Sequence, residues 1–148
     1  MASENWLHTL YEQDIGRWAE ETVVHFQKGD FAKLDIEHLI EEIEALGISQ
    51  KKEFVSCLVV LLEHLLKRMH VPLPAAYNGW ERTIRTQRAE LKVLLDVAPS
   101  LINRWEWSCA KAWPIALANV KDEYPQVPFP YTWPYDATPA TILNQRFW

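Results

Sequence analysis

The sequence predicts a single all-α domain. It reads as a bundle of five to six helices, with an extended, proline- and aromatic-rich C-terminal tail packed over it. Apolar residues recur at three- and four-residue spacing almost throughout, the pattern of one-sided helices. Glycine is scarce, with four in 148 residues, and five of the nine prolines gather in residues 124–148. Hydrophobic residues make up 49% and charged residues 24%, which excludes intrinsic disorder and suffices for a core without metal or disulfide. The domain is expected to span 1–148, with a helical core over about 4–123 and the tail and a short last helix in 124–148.

Ser3 offers an N-cap to the first segment and Asp14 restarts it. Leu7, Leu10, Tyr11, Ile15, Trp18, Thr22, Val23 and Phe26 form its apolar face, and Gly29-Asp30 breaks it. Asp35 caps a second helix, Ile36–Leu46, closed by Gly47. Ser49 caps a third, about Gln50–His70, stopped by Val71-Pro72-Leu73-Pro74. Asn78 or Gly79 opens a fourth, Trp80–Ala98. Pro99-Ser100 opens a fifth that runs to about Tyr124, and Pro114 inside it is expected to kink or split it. Residues 124–148 carry seven aromatics, too many for a disordered tail, so the segment is expected to lie extended across the bundle. Thr138-Pro139 starts a last short helix, a cap followed by proline at the first helical position.

The third helix is apolar over more than half its circumference, through Phe54, Val55, Cys57, Leu58, Val59, Leu61, Leu62, Leu65, Leu66 and Met69, and so should be the central one. The fourth carries the stripe Trp80, Ile84, Gln87, Leu91, Leu94, Ala98. Gln87 in that stripe calls for a hydrogen-bond partner or a site, because an unpaired buried amide costs about 1–3 kcal/mol. The second helix is expected to bury Ile36, Leu39, Ile40, Ile43 and Leu46. Charge is divided: residues 1–48 hold three basic and eleven acidic residues, net −8, and residues 49–148 hold twelve and nine, net +3. The simplest reconciliation packs the acidic second helix against Lys67, Arg68, Arg85 or Arg88; the alternative is that it meets another chain.

Few templates of chemistry survive. The paired Glu-x-x-His motifs of a di-metal bundle are absent. His38 follows Asp35 by three residues, but Asp35 reads as a helix cap. His38 and Glu42 lie one turn apart, but His38 falls on the solvent side of the second helix. The pair therefore reads as an exposed charged face, and neither a metal nor a cofactor is expected. There is no His-Glu-x-x-His, no Gly-x-Ser-x-Gly and no phosphate-cradling glycine loop. Cys57 and Cys109 read as buried core thiols, too few for a disulfide framework. His64 reads as a hydrogen-bonded residue at the margin of the core, and Lys67 suits the C-terminal end of its helix dipole. Arg82, Arg85, Arg88 and Lys92 form a basic stripe beside Trp80 that phosphate and a stacked base would fit. The net charge of −5 favours internal pairing instead, so nucleic acid is not the expected partner.

The blocks Leu10-Tyr11-Glu12-Gln13-Asp14…Trp18 and Leu39-Ile40-Glu41-Glu42-Ile43-Glu44-Ala45-Leu46-Gly47 resemble a prokaryotic family known as domain of unknown function twenty-nine. Leu61-Leu62-Glu63-His64-Leu65-Leu66-Lys67, Trp80-Glu81-Arg82-Thr83-Ile84-Arg85…Arg88, Pro99-Ser100-Leu101 and Phe129-Pro130-Tyr131-Thr132 extend the likeness over about residues 10–145. The resemblance implies a compact all-α domain and carries no catalytic residues over. The chain departs from the family pattern in its Trp105, Trp107 and Trp113.

The polar members of these blocks, Glu42, Glu44, His64, Lys67, Gln87 and Arg88, read as one cluster between helices two, three and four. It is either a satisfied network that fixes helix pairing or a small-ligand or catalytic pocket. The leading functional reading is a non-enzymatic protein-interaction module, capable of self-association, for which the surplus aromatics Trp107, Trp133 and Trp148 suit an interface. An enzyme or small-ligand binder built on the polar cluster, and a nucleic-acid-binding accessory protein, stand as alternatives. The longest apolar run, around Cys57–Leu66, is broken by Glu63 and His64, and Met1-Ala2-Ser3-Glu4 lacks the features of a signal peptide. A cytoplasmic protein with no membrane association is the expectation.

Overall fold

The computed structural model describes residues 6–148 and is all-α. Its helices are α1 (Trp6–Gln13), α2 (Ile15–Lys28), α3 (Ile36–His70), α4 (Pro74–Val97), α5 (Trp105–Glu123) and α6 (Pro139–Asn144). Short 3-10 turns at Phe31–Lys33 and Pro99–Arg104 join them, and no strand occurs among the described residues. The chain divides into two compact units, Met1–Ile48 and Ser49–Trp148, and α3 contributes residues to both.

In the first unit, Asp14 separates α1 from α2. Its backbone is extended, and its side chain accepts the Arg17 N–H at 3.1 Å, an N-cap. The Ser3 cap lies outside the described residues. Gly29 takes the left-handed conformation at φ +75° and ends α2, with the next N–H, of Asp30, returning to the His25 carbonyl. Leu7, Leu10 and Trp18 form the small apolar core, with Tyr11 and Leu39 packed on it.

Two expectations for this region need correcting. The second and third helices are one helix of 35 residues, because Gly47 does not close the first and Ser49 does not cap the second. Gly29 is the one described residue with positive φ, so Gly47 sits in ordinary helical backbone. A glycine inside a helix costs about 1 kcal/mol against alanine, whereas a break would orphan up to four carbonyls and four N–H groups. The buried face is also rotated. The first turns of α3 bury Asp35 and His38 and half-bury Leu39 and Glu42, while Ile36, Ile40, Ile43 and Leu46 face solvent. On α2, likewise, Trp18 and Thr22 are buried while Ile15, Val23 and Phe26 are exposed.

The second unit follows the sequence closely. Phe54, Leu58, Leu61, Leu62 and Leu65 of α3 form its main core with Ile84, Leu91 and Leu94 of α4, Trp105, Ala112 and Ala116 of α5, and Ile142 and Leu143 of α6. Helix α4 begins at Pro74 rather than near Asn78, since proline is well accommodated at a first helical position, where its missing N–H costs nothing. Pro114 does not split α5, which continues from Trp105 to Glu123.

The tail is fastened by side chains that donate to its carbonyls. Trp105 Nε1 donates to Ala137 at 2.7 Å and Trp113 Nε1 to Tyr131 at 3.0 Å. Thr138 caps α6 through Thr141 N–H, as expected. Trp148 Nε1 closes the chain's end onto Glu81 at 3.1 Å.

The continuity of α3 has a direct consequence. A Cβ at Gly47 meets nothing within 4 Å, and its φ is not positive. Gly47→Ala is expected to stabilise the protein by about 0.5–1 kcal/mol, read as a higher urea midpoint. A glycine closing a helix in the left-handed conformation would instead make the alanine variant less stable.

Candidate functional site

The densest polar cluster of the first unit is built where α3 begins. Asp35 is the N-cap of α3, and its Oδ1 accepts the His38 N–H at 3.3 Å. Three more donors meet the same carboxylate. His38 Nδ1 lies 2.5 Å from Oδ2, the Trp18 indole donates to Oδ2 at 3.2 Å, and His8 Nδ1 lies 3.4 Å from Oδ1. The other ring nitrogen of His38, Nε2, faces Glu12 Oε1 at 3.8 Å. Tyr11 stacks on the His38 ring with centroids 3.7 Å apart, and its hydroxyl donates to Glu42 at 2.5 Å. The His8 and His38 rings are 4.5 Å apart. Asp35 and His38 are buried, and His8 is at the surface.

The electrostatics follow from these contacts. Burial pushes the Asp35 carboxyl up, but the hydrogen bonds from His38, His8 and Trp18 outweigh it and hold the group below the ordinary carboxylate value. Burial likewise pushes His38 down, and its bond to Asp35, with the charges of Asp35, Glu41 and Glu12, carries it above the ordinary imidazole value. The bond to Glu42, burial and the neighbouring carboxylates push Tyr11 up to about 12, so it stays a hydroxyl donor. Among the described residues, His8, Asp35 and His38 are the one group of three whose ligand-type atoms lie within 4.8 Å of one another.

The sequence reading placed His38 on the solvent side of its helix; it is 7% exposed. The buried face of these turns lies away from the isoleucines. The Asp-x-x-His spacing at the start of α3 was the visible signal, and the capping role of Asp35 hid it. His8 carries no sequence signal of its own, because its partners are 27 and 30 residues away.

The polar cluster expected between helices two, three and four falls in both units, on one continuous α3 and on α4. Glu42 belongs to the first unit with Tyr11, and Glu44 is exposed there. In the second unit, His64 donates its Nδ1–H to the Val60 carbonyl at 2.7 Å, one turn back. Lys67 is buried, pairs with Glu123 at 3.3 Å and lies over the Trp80 ring. Gln87 is half-buried, and Arg88 donates to the carbonyls of Ile142 and Gln145 at 3.0 and 2.6 Å. No hydrogen bond or ion pair joins two of these six among the described residues. The partners described for Lys67, Arg68 and Arg88 all lie within the second unit. Arg68 pairs with Glu81 and stacks on Tyr77 at 3.7 Å.

Of the basic stripe, Arg82, Arg85 and Lys92 are exposed, but Arg88 is held by the tail and Trp80 is 8% exposed, so its ring is not free for stacking. Trp107 is exposed, beneath Arg104 and Lys111, whereas Trp133 and Trp148 pack against the core. Cys57 and Cys109 are free, and burial pushes both thiols up, Cys109 to about 11, so neither is a thiolate near neutrality.

An all-α chain of two units, with a capped histidine–carboxylate cluster in the first and a leucine-rich core in the second, defines the class. The chain belongs to the family described as Domain of unknown function DUF29, whose pattern matches residues 10–148. Neither a curated protein nor a solved structure matches it. No helix among the described residues is long and apolar enough to cross a membrane.

Asp35 holds this cluster together. Asp35→Ala removes a cap and strands the Trp18 and His38 donors, so it is expected to cost about 2–4 kcal/mol in urea unfolding. Asp35→Asn keeps a capping oxygen and should cost less. A change within about 0.5 kcal/mol for the alanine variant, the range of surface substitutions, would show that the carboxylate is not structural.

Acid should act through His64 and His70. Burial lowers both below 6.5; at His64 the bond to Val60 and the charges of Glu63 and Glu123 oppose it, while Lys67 adds to it. A lowered histidine pKa means the unfolded chain binds protons that the native chain refuses. The contribution is present above about 6.5 and is lost as pH falls through the native values. The stability gap between wild type and His64→Gln is therefore expected to shift in favour of the variant between pH 7 and pH 5. A gap independent of pH would contradict the burial of this imidazole.

Proposed function

We propose that the protein is a non-enzymatic protein-interaction module, and that the exposed apolar flank of α3 in its first unit docks a partner protein. The observation that carries this reading is the exposure of Ile36, Ile40, Ile43 and Leu46, with Ile43 at 68%, on a helix that turns an aspartate and a histidine inward. Large apolar side chains grouped on one helical face and rimmed by charge mark interaction sites on soluble proteins. The rim here is Glu37, Glu41 and Glu44.

Charge specifies the partner's chemistry. Residues 1–48 carry net −8, so a second copy meeting this face symmetrically would set like charges together. A partner with an apolar helical face edged by lysine and arginine fits better. Both cysteines are free thiols, which supports a reducing compartment and hence the cytoplasm.

The test is recovery of the native complex. The full-length protein is expected to co-elute from gentle lysates with one partner, in a complex that weakens as salt rises. The double variant Ile40→Glu with Ile43→Glu should keep its helical circular dichroism and lose the partner. A variant that retains the partner, or a wild type that elutes alone at monomer mass, would overturn the reading.

A further inference from the structure

We propose that His8, Asp35 and His38 form a binding site for a divalent first-row transition ion of the zinc type, held by two imidazoles and one carboxylate. The first unit presents a ligand set with its orienting groups already in place. His8 Nδ1 and Asp35 Oδ1 are 3.4 Å apart, close to the roughly 3.3 Å that two ligands subtend in a tetrahedral zinc site. His38 Nδ1 and Asp35 Oδ2 are 2.5 Å apart, so His38 has to withdraw by a little under an ångström to admit an ion between them.

The ion takes the place of the proton between His38 Nδ1 and the Asp35 carboxylate: an imidazolium gives that proton to solvent, and a neutral ring exchanges it for one on Nε2. His38 then carries a single proton, on Nε2, the nitrogen that faces Glu12 Oε1 at 3.8 Å. An outer carboxylate on the second nitrogen of a ligating histidine fixes its tautomer and raises its basicity. The Trp18 indole does the corresponding work for the carboxylate, by donating to Asp35 Oδ2. Tyr11, stacked on the His38 ring, keeps that imidazole in plane.

The donor set also selects the metal. Calcium and magnesium want six or more oxygens, and one carboxylate with two imidazoles does not supply them. Borderline nitrogen and oxygen donors suit zinc, cobalt, nickel and copper. Three protein ligands leave one tetrahedral position to water, so the ion would be exchangeable rather than sealed in. His8 is at the surface, and it gives the ion a way in.

The experiment uses the full-length chain, stripped with a chelator and dialysed. Zinc(II) is titrated by calorimetry, and cobalt(II) is followed by its visible absorption, which reports the coordination geometry. One equivalent per chain is expected. His8→Gln changes a surface residue and should keep the circular dichroism of the wild type while lowering affinity at least tenfold. Glu12→Gln, which touches no metal and removes only a charge 3.8 Å from Nε2, should lower it by a smaller factor than His8→Gln. Absence of stoichiometric binding, or equal affinity in the wild type and both variants, would overturn the assignment. These variants keep the design independent of Asp35→Ala, which loses the cap as well as the ligand. The readout is metal alone, so it stands or falls apart from any protein partner.

Discussion

Helix α3 has to satisfy two different interiors with one uninterrupted backbone. Its first three turns face Tyr11, Trp18 and His8, and what they offer is Asp35, His38 and Glu42. Its later turns offer Phe54, Leu58, Leu61, Leu62 and Leu65, all nearly inaccessible to water. The first interior is small in apolar terms, with Leu7, Leu10 and Trp18 as its core, so hydrophobic burial alone gives it little. It is held by hydrogen bonds that saturate one carboxylate, and such a network is worth most when every member is satisfied. Asp35 is therefore structural in two ways: it starts the helix, and it is the acceptor around which the α1–α2 hairpin closes.

The second interior rests on bulk instead. Leucines at three- and four-residue spacing make up most of that interior, with Ser108 and Lys67 as its buried polar residues, and most of the polar work moves to the rim. There the tail's carbonyls are the recurring acceptors. Arg88, Trp105 and Trp113 each donate to one or two of them, and Trp148 reaches back to Glu81. An extended segment has no internal ladder for its carbonyls, so side chains from the helices must supply donors. That need explains why the chain keeps several tryptophans and an arginine at the margin of an apolar stripe. These side chains hold the tail down, and in doing so they leave the pool of residues free for a ligand.

Much of this was legible in the residues. The 3.6 period fixed the helical class, the leucine spacing of Phe54–Leu66 fixed the core of the second unit, and Asp14, Gly29, Asp35 and Thr138 act as the boundaries their types suggest. The failures have separate causes. Gly47-Ile48-Ser49 looks like a stop because glycine and serine are poor in isolated helices, but propensity of about 1 kcal/mol yields to continuous hydrogen bonding. The isoleucines of Ile36–Leu46 look buried because apolar residues usually are, yet a small unit whose carboxylate must meet an indole and two imidazoles turns its polar edge inward. His8 had no local pattern to reveal it, because its partners come together only when α1 folds against α3.

The two unusual faces of the first turns of α3 are consequences of the same choice. At 100° per residue, Asp35, His38 and Glu42 lie roughly a third of a turn from Ile36, Ile40 and Ile43. Where a helix is covered on one side only, burying one set presents the other. A monomer that needed only to be stable would bury the isoleucines, each worth about 1.5–3 kcal/mol, and leave the aspartate and histidine to water, where they cost nothing. The observed orientation forgoes that gain along three turns. The result is surplus apolar surface on one flank of α3 and a preassembled histidine–carboxylate constellation on the other. A charge of −8 over the same 48 residues adds a third feature that stability does not require. Stability accounts for the second unit's leucines; in the first unit the donors that Asp35 gathers decide which face of α3 turns inward.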